Sequence, residues 1–489
     1  MMLKNPRVFE INTRVWLRQF DSTRKARLSD VPAEKWDQLR LAGFDAVWLM
    51  GIWKTSKDVI EKCCFEPGLV ESYSKALPDW KKEDVIGSPY AIDIYEPDPS
   101  VCKKGDLLKF KKMLNDKGLS LILDFIPNHF SAASSLLDTN PGIFLQGREE
   151  DLINDPYTFF RHGDKIFAHG RDPFFPAWTD TAQVNYYSKE AREYMAGILL
   201  MLTEVCDGVR CDMAMLALNN IFGNTWQGTA SKSDDDFMKQ EFWKYAIETV
   251  KNASPGFTMI AETYWNLEYT LQQLGFDFTY DKVLYDRLKS AGAFDVKAHL
   301  TADLVYQEKL VRFTENHDED RAVHALGIEK SMAAAVAAYT TPGLKLFHNG
   351  QPEGKKVKLP VQLGREPNEP LNERLNDFYD RLYKILRHDV FRTGEWELLE
   401  SSKVWDYNYT NVNIICWQWK SGDEKRLVVV NYSGQNAQCR VQFNPETTEQ
   451  FLLFNDLLND KIYVRSVKEI YEQGLNVDLG AYRSHIFSY

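Results

Sequence analysis

Short apolar runs recur along the chain, each followed by a longer stretch in which apolar residues return every three or four positions. Eight runs stand out: VFEINTRVWL from Val8, FDAVWLM from Phe44, LSLILDFI from Leu119, DGVRCDM from Asp207, FTMIAETY from Phe257, FDFTYDKVLY from Phe276, KLVRFTEN from Lys309 and LKLFHN from Leu344. Their length and their β-branched and aromatic content predict strands. Between them, residues 33–41, 106–117, 188–205, 236–251 and 331–339 have the period of amphipathic helices. Parallel strands need such crossovers, because a tight turn cannot bring the chain back to the same end of a sheet. Eight strands with helical connections, and no G-x-G-x-x-G after the first, predict an α/β fold closed into a (β/α)8 TIM barrel rather than an open dinucleotide-binding sheet.

Two connections are long. Residues 130–187, after the third strand, are rich in Gly, Pro and aromatic residues and read as a small inserted subdomain. Residues 219–235, after the fourth, form a polar loop ending in an acidic run. From about Phe391 the pattern changes to alternating short strands, as in NVNIICWQW and RLVVVNYSG, separated by SGDEK, SGQN and LND turns. The expected organisation is therefore a barrel over 1–129 and 188–390, an insertion over 130–187 and a C-terminal antiparallel β-sandwich over 391–489. No Gly/Ser linker separates them, so they should pack rigidly together.

Composition narrows the function. The 59 Lys and Arg stand against 70 Asp and Glu, giving a net charge of -11. No basic stripe could neutralise a phosphate backbone, which argues against nucleic acid as a partner. No stretch approaches the roughly 18 apolar residues of a membrane span, and the start carries no signal-like apolar run, so a cytoplasmic location is expected. The seven cysteines form no spaced framework and read as reduced thiols. Nothing in the sequence specifies an oligomeric state.

In a barrel of this kind the polar residues that close each strand point at the substrate. The third run closes with DFIPNH (Asp124, Asn128, His129), the fourth with RCD (Arg210, Asp212), the fifth with AET (Glu262) and the seventh with ENHD (Asn316, His317, Asp318). Four strand ends with carboxylates suit glycosidic cleavage, which needs one carboxylic acid to protonate the leaving oxygen and one carboxylate at the anomeric carbon. Arg210 and Asp212 are two residues apart and share a strand face, so the arginine should keep that carboxylate ionised. Glu262, next to Ala261, Tyr264 and Trp265, sits in an apolar setting that should raise its pKa, as a general acid requires.

These strand ends resemble the signature segments of the α-amylase superfamily, glycoside hydrolase family 13, and the resemblance runs from Val8 to about Glu353. DFIPNH is similar to the first signature and GVRCD to the second, which implies Asp212 as nucleophile. IAETYW implies Glu262 as acid/base, and FTENHD implies Asp318 as the third carboxylate, gripping sugar hydroxyls. By the same resemblance His129 and His317 hydrogen-bond the sugar, Asp124 and Arg210 hold the site together, and Tyr90 in SPYAIDIY stacks under the sugar ring. The segment GLKLFHNGQPE is similar to the strand-eight signature. No cofactor is required. Family members often carry a structural calcium in the insertion; Asn128 and Asp180 match two of its ligand positions, or else make hydrogen bonds only.

One departure bears on substrate. Many starch-degrading members carry a lysine and a histidine three and four residues after the nucleophile, where this chain has Met215 and Leu216. An apolar acceptor side points to a shorter α-linked oligosaccharide, a non-glucan aglycone or a transfer reaction. In the insertion, Arg171 and Asp172 either recognise a substrate group or form a local turn. The expected activity is retaining α-glycoside hydrolysis by double displacement. The alternatives are transglycosylation or phosphorolysis of a sucrose-, maltose- or trehalose-type substrate, and a barrel that only binds sugar or a protein partner.

Overall fold

The computed structural model describes residues 4–21, 25–230 and 236–489. The acidic residues Asp234 and Asp235 of the expected run lie outside these. All eight apolar runs form strands of one closed parallel barrel: β1 (Arg7–Asn12), β2 (Ala46–Met50), β3 (Ser120–Phe125), β4 (Gly208–Cys211), β5 (Thr258–Ala261), β6 (Phe278–Tyr280), β7 (Leu310–Arg312) and β8 (Leu344–His348). Each strand is buried on both faces, which is why the runs read as continuous apolar stretches. Alternate residues divide the work. Val8, Trp48, Ile122, Ile260, Tyr280 and Leu346 fill the barrel interior. Val47, Leu49, Leu121, Leu123, Val209 and Met259 pack outward under the helices.

The crossovers include α1 (Ala33–Ala42), α2 (Asp106–Asp116) and α3 (Lys189–Val205). The side chain of Ser188 caps the last of these by accepting from Ala191 N–H. Two helices differ from expectation. The helix expected over 236–251 is split into α4 (Asp236–Lys239) and α5 (Phe242–Ala253). Glu241 between them is extended, and the Gln240 carbonyl accepts from Arg192 Nη1 at 2.7 Å instead of continuing a helical ladder. The helix expected from 331 begins earlier, as α6 (Ala322–Tyr339), with a break at Gly327, whose φ of 73° leaves the helical region.

After β3 the chain runs into the insertion, where residues 129–131 pair with 181–183 and residues 159–162 with 165–168, both antiparallel. The C-terminal strands are β9 (Glu395–Ser402), β10 (Ile414–Ser421), β11 (Glu424–Asn431), β12 (Ala437–Gln442), β13 (Phe451–Asp456), β14 (Lys461–Ser466), β15 (Leu475–Leu479) and β16 (Ser484–Ser488). They form one antiparallel sheet in which β9 pairs with β10 through its first half and with β12 through its second. The two layers are thus joined through β9 and enclose Cys416, Val429, Cys439, Val441 and Val477. The other face of this sheet joins the barrel core: Ile415, Trp417, Trp419 and Val428 belong to the same apolar cluster as Tyr339. The indole N–H groups of Trp417 and Trp419 both donate to the Thr340 carbonyl, at 3.1 and 2.7 Å.

Candidate active site

The same alternation that fills the barrel interior continues to its C-terminal rim. Glu10, Asp124, Arg210, Asp212 and Glu262 follow the inward positions Val8, Ile122, Gly208 and Ile260 by steps of two, so these side chains face the barrel axis. Arg210 lies beside Asp124 in the β3/β4 ladder. The ladder runs one step further at the rim, through Asp212 N–H to Phe125 O and Glu262 N–H to Cys211 O.

Arg210 is the hub. Its Nη1 donates to Asp212 Oδ1 at 2.5 Å and lies 3.8 Å from Asp124 Oδ1. Its Nη2 lies 2.8 Å from Glu262 Oε2, an ion pair without the alignment of a hydrogen bond. The guanidinium centre stands 5.2 and 5.4 Å from the ring centroids of Trp48 and Tyr90, a cation–π arrangement. Burying this cation is tolerable because three carboxyl groups surround it, Asp212 in the closest contact. Glu262 is held by two further donors: Met213 N–H to Oε2 at 2.6 Å and Tyr264 OH to Oε1 at 2.9 Å.

The second half of the site descends from β7. Asn316 Oδ1 accepts from the backbone N–H groups of Asp318 and Glu319, both at 2.9 Å, which turns the chain so that Asp318 projects into the mouth. Its side chain keeps 44% exposure and lies 2.9 Å from His317 Nε2. His317 Nε2 also lies 2.7 Å from Tyr90 OH, and its Nδ1 is 2.6 Å from Glu10 Oε1. Tyr90 stacks on His317. His129 packs against Trp178 from the insertion.

These surroundings divide the carboxyls electrostatically. Burial raises Glu262 to about 7, with Arg210 opposing and the charges of Asp212 and Asp318 assisting. Burial raises Asp124 to about 7 against Arg210 and His317, and raises Asp212 against the same arginine. At Asp318 the cost of burial is outweighed by the adjacent His317, so the carboxyl is held well below its usual range. Burial disfavours the charged form of His317, yet Asp318 and Glu10 on its two nitrogens lift it to about 10. His129, buried without a carboxylate, falls to about 3 and is neutral.

All eight residues singled out for chemistry or substrate contact therefore converge on one end of the barrel. Three further residues were not among them. Glu10 clamps His317; Trp48 donates to Asp124 Oδ1 at 3.1 Å; Met213, in the left-handed region at φ 41°, donates to Glu262. An acidic residue interrupting the otherwise apolar first strand is the signal that marks Glu10. The other two have none, because they act through an indole on a neighbouring strand and through a backbone N–H.

Other expectations resolve differently. Met215 and Leu216 are 0% and 2% exposed, part of the core rather than of an open acceptor surface. Near Glu262 in the chain, Trp265 meets Phe174 of the insertion, their ring centroids 5.0 Å apart. Asp172 Oδ1 accepts from Phe174 and Phe175 N–H at 2.6 and 2.9 Å, and Arg171 lies over Trp226 while donating to Thr225 O. Asp172 thus forms a local turn, whereas Arg171 reaches a segment 54 residues away. As for calcium, Asn128 Oδ1 accepts from Gln183 Nε2, and the Asp180 carboxyl lies on the side of Cys63, Cys64 and Glu66. Among the described residues no three His, Cys, Asp or Glu side chains converge as metal ligands.

No family model matches the sequence. Among curated proteins, the alpha-amylase MalA of Haloarcula japonica is 22% identical over 351 residues, covering 70% of this chain and 44% of that protein. A cyclomaltodextrin glucanotransferase of Geobacillus stearothermophilus is 26% identical over 303 residues, covering 55% and 39%. The chain thus spans less than half the length of these two relatives. Of solved structures, a noncanonic maltogenic alpha-amylase from Thermotoga neapolitana aligns with a TM-score of 0.69 at 22% identity, covering 100% of this chain and 99% of that one, a likeness of fold. An alpha-amylase from Lactobacillus plantarum gives 0.68 at 17%, covering 99% of both. Amylases thus recur both among the proteins whose sequence this chain resembles and among those whose fold it shares.

Proposed function

We propose that this protein is a retaining α-glycoside hydrolase acting on short α-linked glucosides by double displacement through a covalent glycosyl-enzyme. The observation that carries the reading is the single guanidinium of Arg210 bound to Asp212 at 2.5 Å and to Glu262 at 2.8 Å, with Asp318 facing them from β7. Two carboxyls tied to one cation share its charge unequally. Asp212 has the shorter, aligned contact and is the ionised partner, while the proton resides on Glu262, whose burial suits it to remain protonated near neutrality.

In the first step Asp212 attacks the anomeric carbon while Glu262 gives its proton to the leaving oxygen; in the second, water attacks as Glu262 takes the proton back. Asp318, ionised through His317, and the N–H and O–H donors of His317 and Tyr90 hold the sugar between them. Asp124 and Arg210 position these groups, and neutral His129 offers a further hydrogen bond. The barrel over 1–129 and 188–390 supplies the carboxylates, the insertion over 130–187 one wall, and 391–489 the packing domain. None of the described helices is long and apolar enough to cross a membrane. All seven cysteines are free, which accords with a cytoplasmic location.

Transfer to a sugar hydroxyl or phosphate is the second reading. It draws on Phe174 and Phe175, each 68% exposed, with Phe174 against Trp265, since exposed aromatic faces near the acid/base would retain an acceptor sugar in competition with water. A panel of α-linked di- and oligosaccharides, with and without phosphate and with products resolved by anomer, separates the readings. Asp212→Asn should fold normally and lose turnover on every substrate the wild type accepts. Wild-type activity in that variant, or products of inverted configuration, would overturn the proposal.

A further inference from the structure

The opposite end of the barrel carries an excess of positive charge that the chain itself does not balance. Arg7 on β1, Lys345 on β8 and Arg312 on β7 are consecutive partners across the ladder. Like charges side by side in a sheet repel. Arg312 is compensated by Asp281, and Lys345 donates only to the Gly343 carbonyl, at 2.7 Å. Arg7 is 5% exposed, and its Nη1 is enclosed with no hydrogen-bond partner among the described residues.

More cations gather around it. Arg40, in the last turn of α1, lies 3.8 Å from Asp45, and Arg392 grips both oxygens of that carboxylate at 3.0 Å. Asp45 also accepts from the Arg7 backbone N–H at 2.9 Å, so it is fully engaged without reaching the Arg7 guanidinium. Arg387, exposed just after the helix Glu373–Leu386, meets Arg7 over Gly43: a side chain beginning at Gly43 would lie within 3 Å of both Arg387 Cγ and Arg7 Nη1. Its φ of 95° keeps this position a glycine, with no side chain between Arg387 and Arg7. Arg7, Arg40, Arg387 and Arg392 thus share one carboxylate, beside Lys345, whose charge burial disfavours, and a buried guanidinium without a partner is costly unless an anion completes it.

We propose that this N-terminal mouth of the barrel binds a tetrahedral oxyanion, inorganic phosphate or a phosphomonoester, between Arg7, Arg40 and Arg387. A guanidinium cluster matches such an ion in geometry as well as charge. The site lies at the other end of the barrel from Asp212 and Glu262 and is independent of the reaction proposed for them.

The test is calorimetric titration of the full chain with inorganic phosphate and, separately, with glucose 6-phosphate, at ionic strength held constant with sodium chloride. The expected result is saturable binding of one ion per chain. Arg40→Gln and Arg387→Gln, both at exposed positions, should each weaken it roughly tenfold or more, with turnover in phosphate-free buffer unchanged. Tighter binding of the ester would assign a phosphorylated metabolite, and tighter binding of the free ion phosphate itself. Binding of equal strength in both variants, or no heat beyond that of chloride, would overturn the proposal.

Discussion

Met213 donates its backbone N–H to Glu262 Oε2 at 2.6 Å, and it does so from a left-handed conformation, φ 41° and ψ 48°. A side-chain-bearing residue pays about 1–2 kcal/mol for that conformation. Met213→Gly should keep the N–H in place and leave the unfolding temperature near that of the wild type. Met213→Val, β-branched, should destabilise by at least this amount and weaken the grip on Glu262. Thermal unfolding together with a pH–rate profile checks both; equal behaviour of the two variants would show that the backbone strain is irrelevant.

The acid role of Glu262 has a pH signature. With its carboxyl raised to about 7 by burial, the protonated form dominates below that value and is lost as pH rises through it. The alkaline limb of kcat/KM should therefore fall near pH 7, not near 4.5. Glu262→Gln should abolish the limb and spare activated aryl α-glucosides relative to alkyl ones, because a good leaving group needs no proton. A limb unchanged in Glu262→Gln would assign it to another group.

Glu10 is predicted to govern His317. Removing the carboxylate in Glu10→Gln leaves the imidazolium with Asp318 alone, and breaking such a buried pair costs about 3–5 kcal/mol. Because the folded-state pKa of His317 is raised to about 10, its stabilising charge is fully present below about 6.5 and lost as pH rises through 10. The stability gap between wild type and variant, measured by urea unfolding, should be widest below pH 6.5 and close toward pH 10. A gap that widens with pH would contradict the assignment.

The exposed pair Phe174 and Phe175 depends on Asp172, which ties both backbone N–H groups to one carboxylate oxygen. Asp172→Ala should leave the fold intact, at a cost of about 1 kcal/mol. It should raise KM for oligosaccharides while leaving kcat on a small aryl α-glucoside unchanged. Phe174→Ala should do the same without the stability loss. Unchanged KM in both would remove these rings from the acceptor side.

The barrel was legible in the sequence because its strands are buried on both faces, so each run from Val8 to His348 is a largely apolar signal closed by polar residues. The positions of Asp124, Arg210, Asp212, Glu262 and Asp318 could be read for the same reason: strand ends of a parallel barrel share one rim, and local spacing is enough to find them. What only the tertiary structure decided are relations between elements distant in the chain. Glu10 meets His317 across 307 residues, and Trp48 meets Asp124 across 76. The helix break at Glu241 exists because Arg192 from α3 takes the Gln240 carbonyl. The apolar pair Met215 and Leu216 announces its character in the sequence, but whether it faces a substrate or the core depends on how the turn after β4 packs. Periodicity records which residues leave water, whereas partners and charge balance, such as the excess of cations around Arg7, are set by which strands close against one another.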